Sequence, residues 1–171
     1  MRNIVFSILL ILYVAAHQTI CAQGVDDWDQ AMKESGLVDV QELDNSILVC
    51  LKYSTEDNFV GVDMYGSLER AYLEPSFARR VVRAQELLNP QLTLLIYDAA
   101  RPISVQRRMR DIVRGTDLES FVADGTRGGR HNYGVAVDLT IATLDGTPLD
   151  MGADFDEFSQ ASLVKSTPDT S

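Results

Sequence analysis

The chain has 171 residues, 46% hydrophobic and 23% charged, which is enough for one compact domain with its own core and too little for a second full domain. Fifteen lysines and arginines stand against 25 aspartates and glutamates, a formal charge of −10, which excludes a generic phosphate-backbone binder and so excludes nucleic acid as a partner. Five prolines and eleven glycines, with no biased tract and no internal repeat, exclude a disordered or solenoid chain.

Residues 1–22 read as an export signal. Arg2 supplies the positive start, "IVFSILLILYVAA" the apolar stretch, and "TICAQG" the small residues for cleavage after Ala22. The apolar stretch falls short of the roughly 20 residues that span a bilayer, and His17-Gln18-Thr19 follows it, which argues against a membrane anchor. Gln18, Thr19 and Ile20 are poor neighbours for a lipid-attachment cysteine at Cys21. The expectation is a chain exported to the periplasm or beyond, with residues 23–171 as a single domain and no membrane contact after cleavage. Taking Arg2 from the fifteen cations leaves 14 against 25 acids, or −11. Cys50 is then the remaining cysteine, so no intrachain disulfide can form, and its apolar strand pattern places it in the core.

In "DDWDQAMKES" Asp26 or Asp27 can cap a short helix whose Trp28 and Met32 share a face, ending at Gly36. "SILVCLKYS" alternates Ile47, Val49, Leu51 and Tyr53 against Leu48, Cys50 and Lys52, a strand with one face better buried. "TEDNFVGVDMYGS" is a loop. From Glu74-Pro75 the period changes: Phe77, Val81, Ala84 and Leu88 form an apolar stripe opposite Arg79, Arg80 and Arg83, which predicts a helix stopped by Asn89-Pro90. "LTLLIYD" reads as a central strand ended by Arg101-Pro102. "SVQRRMRDIV" predicts a helix with Val105, Met109 and Val113 inward and Gly115 as its stop. After the glycine-rich "ADGTRGG", "VAVDLTIA" and "TPLDMG" flank Asp145-Gly146, a hairpin turn. The fold class is α+β, a small antiparallel or mixed sheet with flanking helices.

Two stretches carry chemistry. In a strand starting at Val135, Asp138 faces with Ala136 and Thr140 and would be buried there, so it needs a cation, a donor or a metal. His131 lies seven residues earlier, an odd interval that puts it on the wrong face of a straight strand unless Gly134 bends the chain. Taken alone, this pair favours an aspartate bound to an arginine and a histidine capping a loop over a metal site, because two ligands do not define zinc. In "LLIYDAARP", Asp98 and Arg101 sit where an apolar strand runs out, either to meet a ligand or as a surface ion pair.

Together the stretches "YSTEDNFVG", "AYLEP", "LLIYDAARPISVQ", "HNYGVAVDLT" and "LDMGADFDEFS", over roughly residues 50–159, resemble the VanX-like zinc-dependent D-alanyl-D-alanine dipeptidases and, more distantly, the D-Ala-D-Ala carboxypeptidases. The resemblance implies a cell-wall peptide hydrolase with one zinc ion, a small D-amino-acid dipeptide as substrate and a small closed pocket, and points to no particular partner protein. His131 and Asp138 look like two of three zinc ligands, Arg101 like the arginine that stabilises the developing oxyanion, and Asp98 like its support. Two departures are expected to matter. Gly129 stands where the family commonly has a serine contacting the substrate carboxylate, which bears on dipeptidase against carboxypeptidase preference. The family's third ligand and its base come from a later glutamate and histidine beside a tryptophan, and this sequence has neither His nor Trp after position 131. The family pattern is expected to end near Ser159, the tail 160–171 to be a frayed end or out-of-frame stop, and the chain to be C-terminally truncated, its last strand and helix missing and its activity lost. A D-Ala-peptide-binding pseudoenzyme or a functionless fragment is the alternative.

Overall fold

The computed structural model describes residues 27–66 and 68–157; the export signal over 1–22, the capping candidate Asp26 and the tail 160–171 lie outside the described residues. The α+β class is as expected. In chain order the elements are helix α1 (Asp27–Glu34), strand β1 (Val38–Asp39), helix α2 (Val40–Leu43), strand β2 (Leu48–Val49), strand β3 (Tyr72–Leu73), helix α3 (Pro75–Glu86), strand β4 (Leu92–Asp98), helix α4 (Ile103–Val113) and strand β5 (Asp138–Thr143). Single 3-10 turns cover Lys52–Ser54, Asp117–Phe121 and His131–Tyr133. No helix among the described residues is long and apolar enough to cross a membrane.

The strands form two sheets. β1 and β3 make an antiparallel pair, and β4 lies at the centre of the other sheet, parallel to β2 and antiparallel to β5. β4 is the apolar run "LTLLIYD", and burial of Thr93, Leu94, Leu95 and Ile96 on both faces explains why it shows no alternation. α4 starts one residue earlier than its pattern predicts and buries Val105, Met109 and Val113 as expected, together with Gln106. At Asp145-Gly146 the hairpin turn closes through Gly146 N donating to Thr143 O at 2.9 Å, while the returning arm pairs only at Ala142 and Pro148.

Several expectations shift by a face or a residue. The strand predicted over 46–54 holds extended pairing only at Leu48–Val49 before the chain tightens into a 3-10 turn. Its alternation is real, with Ile47, Leu51 and Tyr53 buried, but Cys50 is exposed rather than in the core: its backbone N–H donates to Ile96 O while its side chain faces outward. On α3 Phe77, Val81 and Leu88 pack against the core as expected, together with Ala78, while Ala84 is exposed. Next to it Gln85 turns in, its Oε1 accepting from the Leu94 N–H at 2.8 Å at the start of β4. Glu74 caps α3, accepting from the Ser76 and Phe77 N–H groups, with Pro75 at the first helical position.

β5 begins at Asp138, not Val135, because Gly134 adopts φ +66° and ends the 3-10 turn that carries His131. A Cβ at Gly134 would stand 2.8 Å from the Glu74 backbone N and 2.7 Å from Leu37 Cδ2, so the bend and the close approach both require glycine. Gly134→Ala is therefore expected to destabilise the fold by about 3 kcal/mol, combining the left-handed penalty with a backbone clash. A chemical denaturation midpoint unchanged by this substitution would show that the turn has another route.

Candidate functional site

The end of β4 and the turn before β5 are laced together by backbone groups. Arg101 N–H donates to His131 O at 3.0 Å, the Asn132 side chain donates to Arg101 O at 2.7 Å, and His131 Nδ1 lies 2.8 Å from Ala99 O. Between β4 and β5 the register slips after Ile96, and this irregularity at Tyr97 sets Asp98 opposite Asp138. Thus four residues separated widely in sequence, Asp98, Arg101, His131 and Asp138, converge at one sheet end.

Asp98 is 1% exposed. Its Oδ1 accepts from the Tyr65 hydroxyl at 2.9 Å, and its Oδ2 accepts from Arg101 Nε at 3.2 Å and Nη2 at 2.5 Å. Arg101 is itself 8% exposed, its guanidinium stacked 4.9 Å from the Tyr53 ring centroid, with Nη1 donating to Gln106 Oε1 at 2.9 Å. The Asp98–Arg101 pair is therefore a buried ion pair, with two guanidinium N–H groups on one carboxylate oxygen, and not a surface one. Burial disfavours the guanidinium charge, but the adjacent Asp98 carboxylate outweighs it and holds the Arg101 pKa above its ordinary value.

Donor atoms of Asp98, His131 and Asp138 all lie within 4.8 Å of one another. A carbonyl only accepts, so the Ala99 contact places the neutral imidazole's hydrogen on Nδ1 and leaves the Nε2 lone pair facing Asp138 Oδ1 at 3.5 Å. Bonds of about 2.0–2.2 Å at tetrahedral angles hold two donors roughly 3.3–3.6 Å apart, so this pair fits a metal ion such as zinc. Asp98 stands on the Nδ1 side, 3.5 Å away, with both oxygens already engaged. Both of its oxygens are thus directed at Tyr65 and Arg101. Asp138 differs from expectation: its side chain is 39% exposed, facing the cavity, and the fully buried acid of the site is Asp98.

Burial lowers the His131 pKa, but the hydrogen bond to Asp138 and the charges of Asp98 and Asp138 outweigh burial and leave it raised above the ordinary 6.5. In the metal-free chain this contribution to stability is fully present below 6.5 and is lost as the pH rises through the raised value. A metal ion competes with that proton, so affinity is expected to fall, on acidification, at a pH above 6.5. Equilibrium dialysis across roughly pH 5 to 8 checks this, and a midpoint at or below the ordinary histidine value would contradict it.

Beyond Asp138 the sheet end opens into a cavity of about 1370 Å³, lined among others by Lys52, Tyr97, Asp138, Asp154, Phe155 and Asp156. This is broader and more open than the small closed pocket expected, with residues 148–157 forming one wall of it. Phe155 packs edge-on against Tyr53 and Tyr97, with ring centroids 6.0 and 5.2 Å apart. Asp156, at φ 57°, accepts from the Tyr53 hydroxyl at 2.6 Å. Burial and the nearby Asp138 charge raise its pKa against the opposing Tyr53 bond. Sequence reasoning missed Tyr53, Tyr65, Gln106 and Asp156 as site residues; "YSTEDNFVG" and "LDMGADFDEFS" marked two of the stretches that hold them, but no local pattern singles out the residues.

The comparisons with known proteins agree with this geometry. The family described as D-ala-D-ala dipeptidase, a family of metallopeptidases, matches residues 33–169, starting well before the stretch near residue 50 where the motifs begin. The D-alanyl-D-alanine dipeptidase of Escherichia coli (strain K12) is 32% identical over 127 residues, which is 74% of this chain and 64% of that protein. The chain thus spans just under two thirds of the length of the curated relative it matches. Family match, identity and the convergence of Asp98, Arg101, His131 and Asp138 lead to one conclusion: the chain belongs to the D-Ala-D-Ala dipeptidase family.

Proposed function

We propose that this chain carries the metal-binding half of a zinc-dependent hydrolase that cleaves free D-Ala-D-Ala in cell-wall peptide metabolism, in a protein exported from the cell. The observation that carries the reading is the His131 Nε2 lone pair aimed at Asp138 Oδ1 across 3.5 Å, at the mouth of an acidic, aromatic-walled cavity. Zinc held there would polarise the scissile carbonyl and lower the pKa of its bound water to about 7. Asp98 holds Arg101 rigid by two hydrogen bonds, so the guanidinium is in place for negative charge developing on the substrate oxygen. Asp156 and the Tyr53 hydroxyl offer an anionic, half-buried seat suited to the α-ammonium of a short peptide. Gly129 leaves space beside Asn132, whose Oδ1 would lie 3.6 Å from an added Cβ, so a serine fits there without strain.

One observation favours a second reading, a D-Ala-peptide-binding protein without catalysis: Arg101 is committed to Asp98 and Gln106 and only 8% exposed. The experiment that separates the two measures bound zinc and D-alanine release by the 171-residue polypeptide and by the same polypeptide extended with the C-terminal segment of the E. coli relative. No histidine follows His131 in this sequence to complete a three-ligand site, and no residue is assigned as general base, so the unextended polypeptide is expected to turn over at least about 10²-fold more slowly. In the extended protein Arg101→Lys, which loses the planar fork, is expected to cost roughly 10² in rate. Peptide binding with no release from either protein would support the second reading. Export is tested separately by N-terminal sequencing of the secreted protein, expected to begin near Gln23; a retained Met1 would refute it.

A further inference from the structure

Helix α4 does more than cover the sheet. Along one side it sends polar side chains to the carbonyls of the segment leading toward His131: Gln106 Nε2 donates to Ala123 O at 2.9 Å, Arg107 Nε to Gly125 O at 3.2 Å, and Arg110 Nη1 to Val122 O at 2.6 Å. Of these three, Gln106 differs in two ways. It is 5% exposed, and its other amide atom, Oε1, accepts from Arg101 Nη1 at 2.9 Å. One buried amide therefore bridges the guanidinium and the glycine-rich loop.

We infer that Gln106 is a positioning residue that couples the Arg101 guanidinium to the loop 123–129, so that the order of one depends on the other. An amide is the side chain suited to this bridge, because it presents an acceptor and a donor at once; the Arg101 side offers only N–H groups and the Ala123 side only a carbonyl. Asp98 fixes the other edge of the guanidinium through Nε and Nη2, so removing Gln106 leaves Nη1 with only the weak contact to Met109 Sδ at 3.5 Å while the ion pair stays in place. The loop continues through Gly129, whose N–H donates to Asn132 Oδ1, and Asn132 in turn donates to Arg101 O. The route from Gln106 thus closes on the turn that carries His131. Gly125 is part of the same clamp, since a Cβ there would stand 2.9 Å from Arg107 Cγ. The bearing of this coupling on catalysis rests on the proposed role of Arg101; the coupling itself does not.

The test uses the full chain and three substitutions, read by amide hydrogen exchange and by ¹⁵N NMR of the Arg101 guanidinium. Gln106→Leu keeps the bulk and loses both bonds; Nη1 rotation and exchange across 123–129 are each expected to rise at least roughly 10-fold, with β4 exchange unchanged. Gln106→Glu keeps the acceptor for Arg101 and loses the donor to Ala123, so the guanidinium is expected to stay slow while the loop loosens. Arg101→Lys keeps the charge beside Asp98 and loses the fork to Gln106, and the loop is expected to loosen several-fold although residue 101 places no side-chain atom on it. A loop indifferent to Arg101→Lys, or a guanidinium indifferent to Gln106→Leu, would overturn the inference. If Gln106→Leu does not fold, the other two variants decide it. None of these readouts needs zinc or turnover, so a failure of hydrolysis would sink the proposed function and leave this result standing.

Discussion

Replacing Asp98 with alanine is expected to lower the unfolding free energy by about 3–5 kcal/mol, the cost of leaving a buried guanidinium without its counter-ion. Arg101 is 8% exposed, so water cannot take over from the lost carboxylate, and the Tyr65 hydroxyl loses its acceptor in the same step. For a chain of this size the thermal midpoint should fall by roughly 10 °C. Arg101→Met is expected to cost a comparable amount, because it strands a carboxylate that is 1% exposed. The double variant Asp98→Leu with Arg101→Met is the decisive measurement. If the pair is one unit, the double variant recovers a large part of the loss, since two apolar side chains need no counter-ion, while the Tyr65 hydroxyl and Gln106 Oε1 still lose their partners. Strictly additive losses would show that the two residues act on stability separately.

The second large effect concerns the metal. If His131 is the nitrogen ligand proposed above, His131→Ala is expected to reduce zinc affinity by more than about 100-fold, whereas losing an outer support typically costs 10- to 100-fold. Asp138→Ala should fall in the same class as His131→Ala, because its Oδ1 stands 3.5 Å from Nε2 and its side chain opens to the cavity. Asp98→Asn is expected to behave as an outer-support loss, with a smaller drop, because both Asp98 oxygens are engaged by Tyr65 and Arg101. Competition with a chromogenic chelator gives all three affinities in one format. An Asp98→Asn loss as deep as that of His131→Ala would make Asp98 a direct ligand and reassign the site.

These expectations draw unequally on the sequence and on the folded chain. Periodic and punctuated stretches were legible directly: α3 behind Glu74-Pro75, the apolar run of β4, the Val105, Met109 and Val113 stripe of α4, and the Asp145-Gly146 turn all form where local pattern places them. In each case the period or the turn residue is a property of the backbone and needs no distant partner. The bend at Gly134 was legible too, but the approach of His131 to Asp138 was not fixed by their spacing and was expected only from the family resemblance. What the sequence could not decide is which face meets what. Cys50 alternates correctly yet points outward, Ala84 yields its place to Gln85, and Asp138 opens to the cavity while Asp98 takes the buried position. The last of these goes with the slip in register at Tyr97, which sets the two acids opposite each other. The site depends as well on side chains arriving from far along the chain: Tyr65 onto Asp98, 33 residues away, Asp156 onto Tyr53, 103 away, and Gln106 onto Ala123, 17 away. Local periodicity specifies the elements, but a buried charge is satisfied only by whatever the tertiary packing brings within hydrogen-bond reach, and for this site that was settled between segments rather than within any one of them.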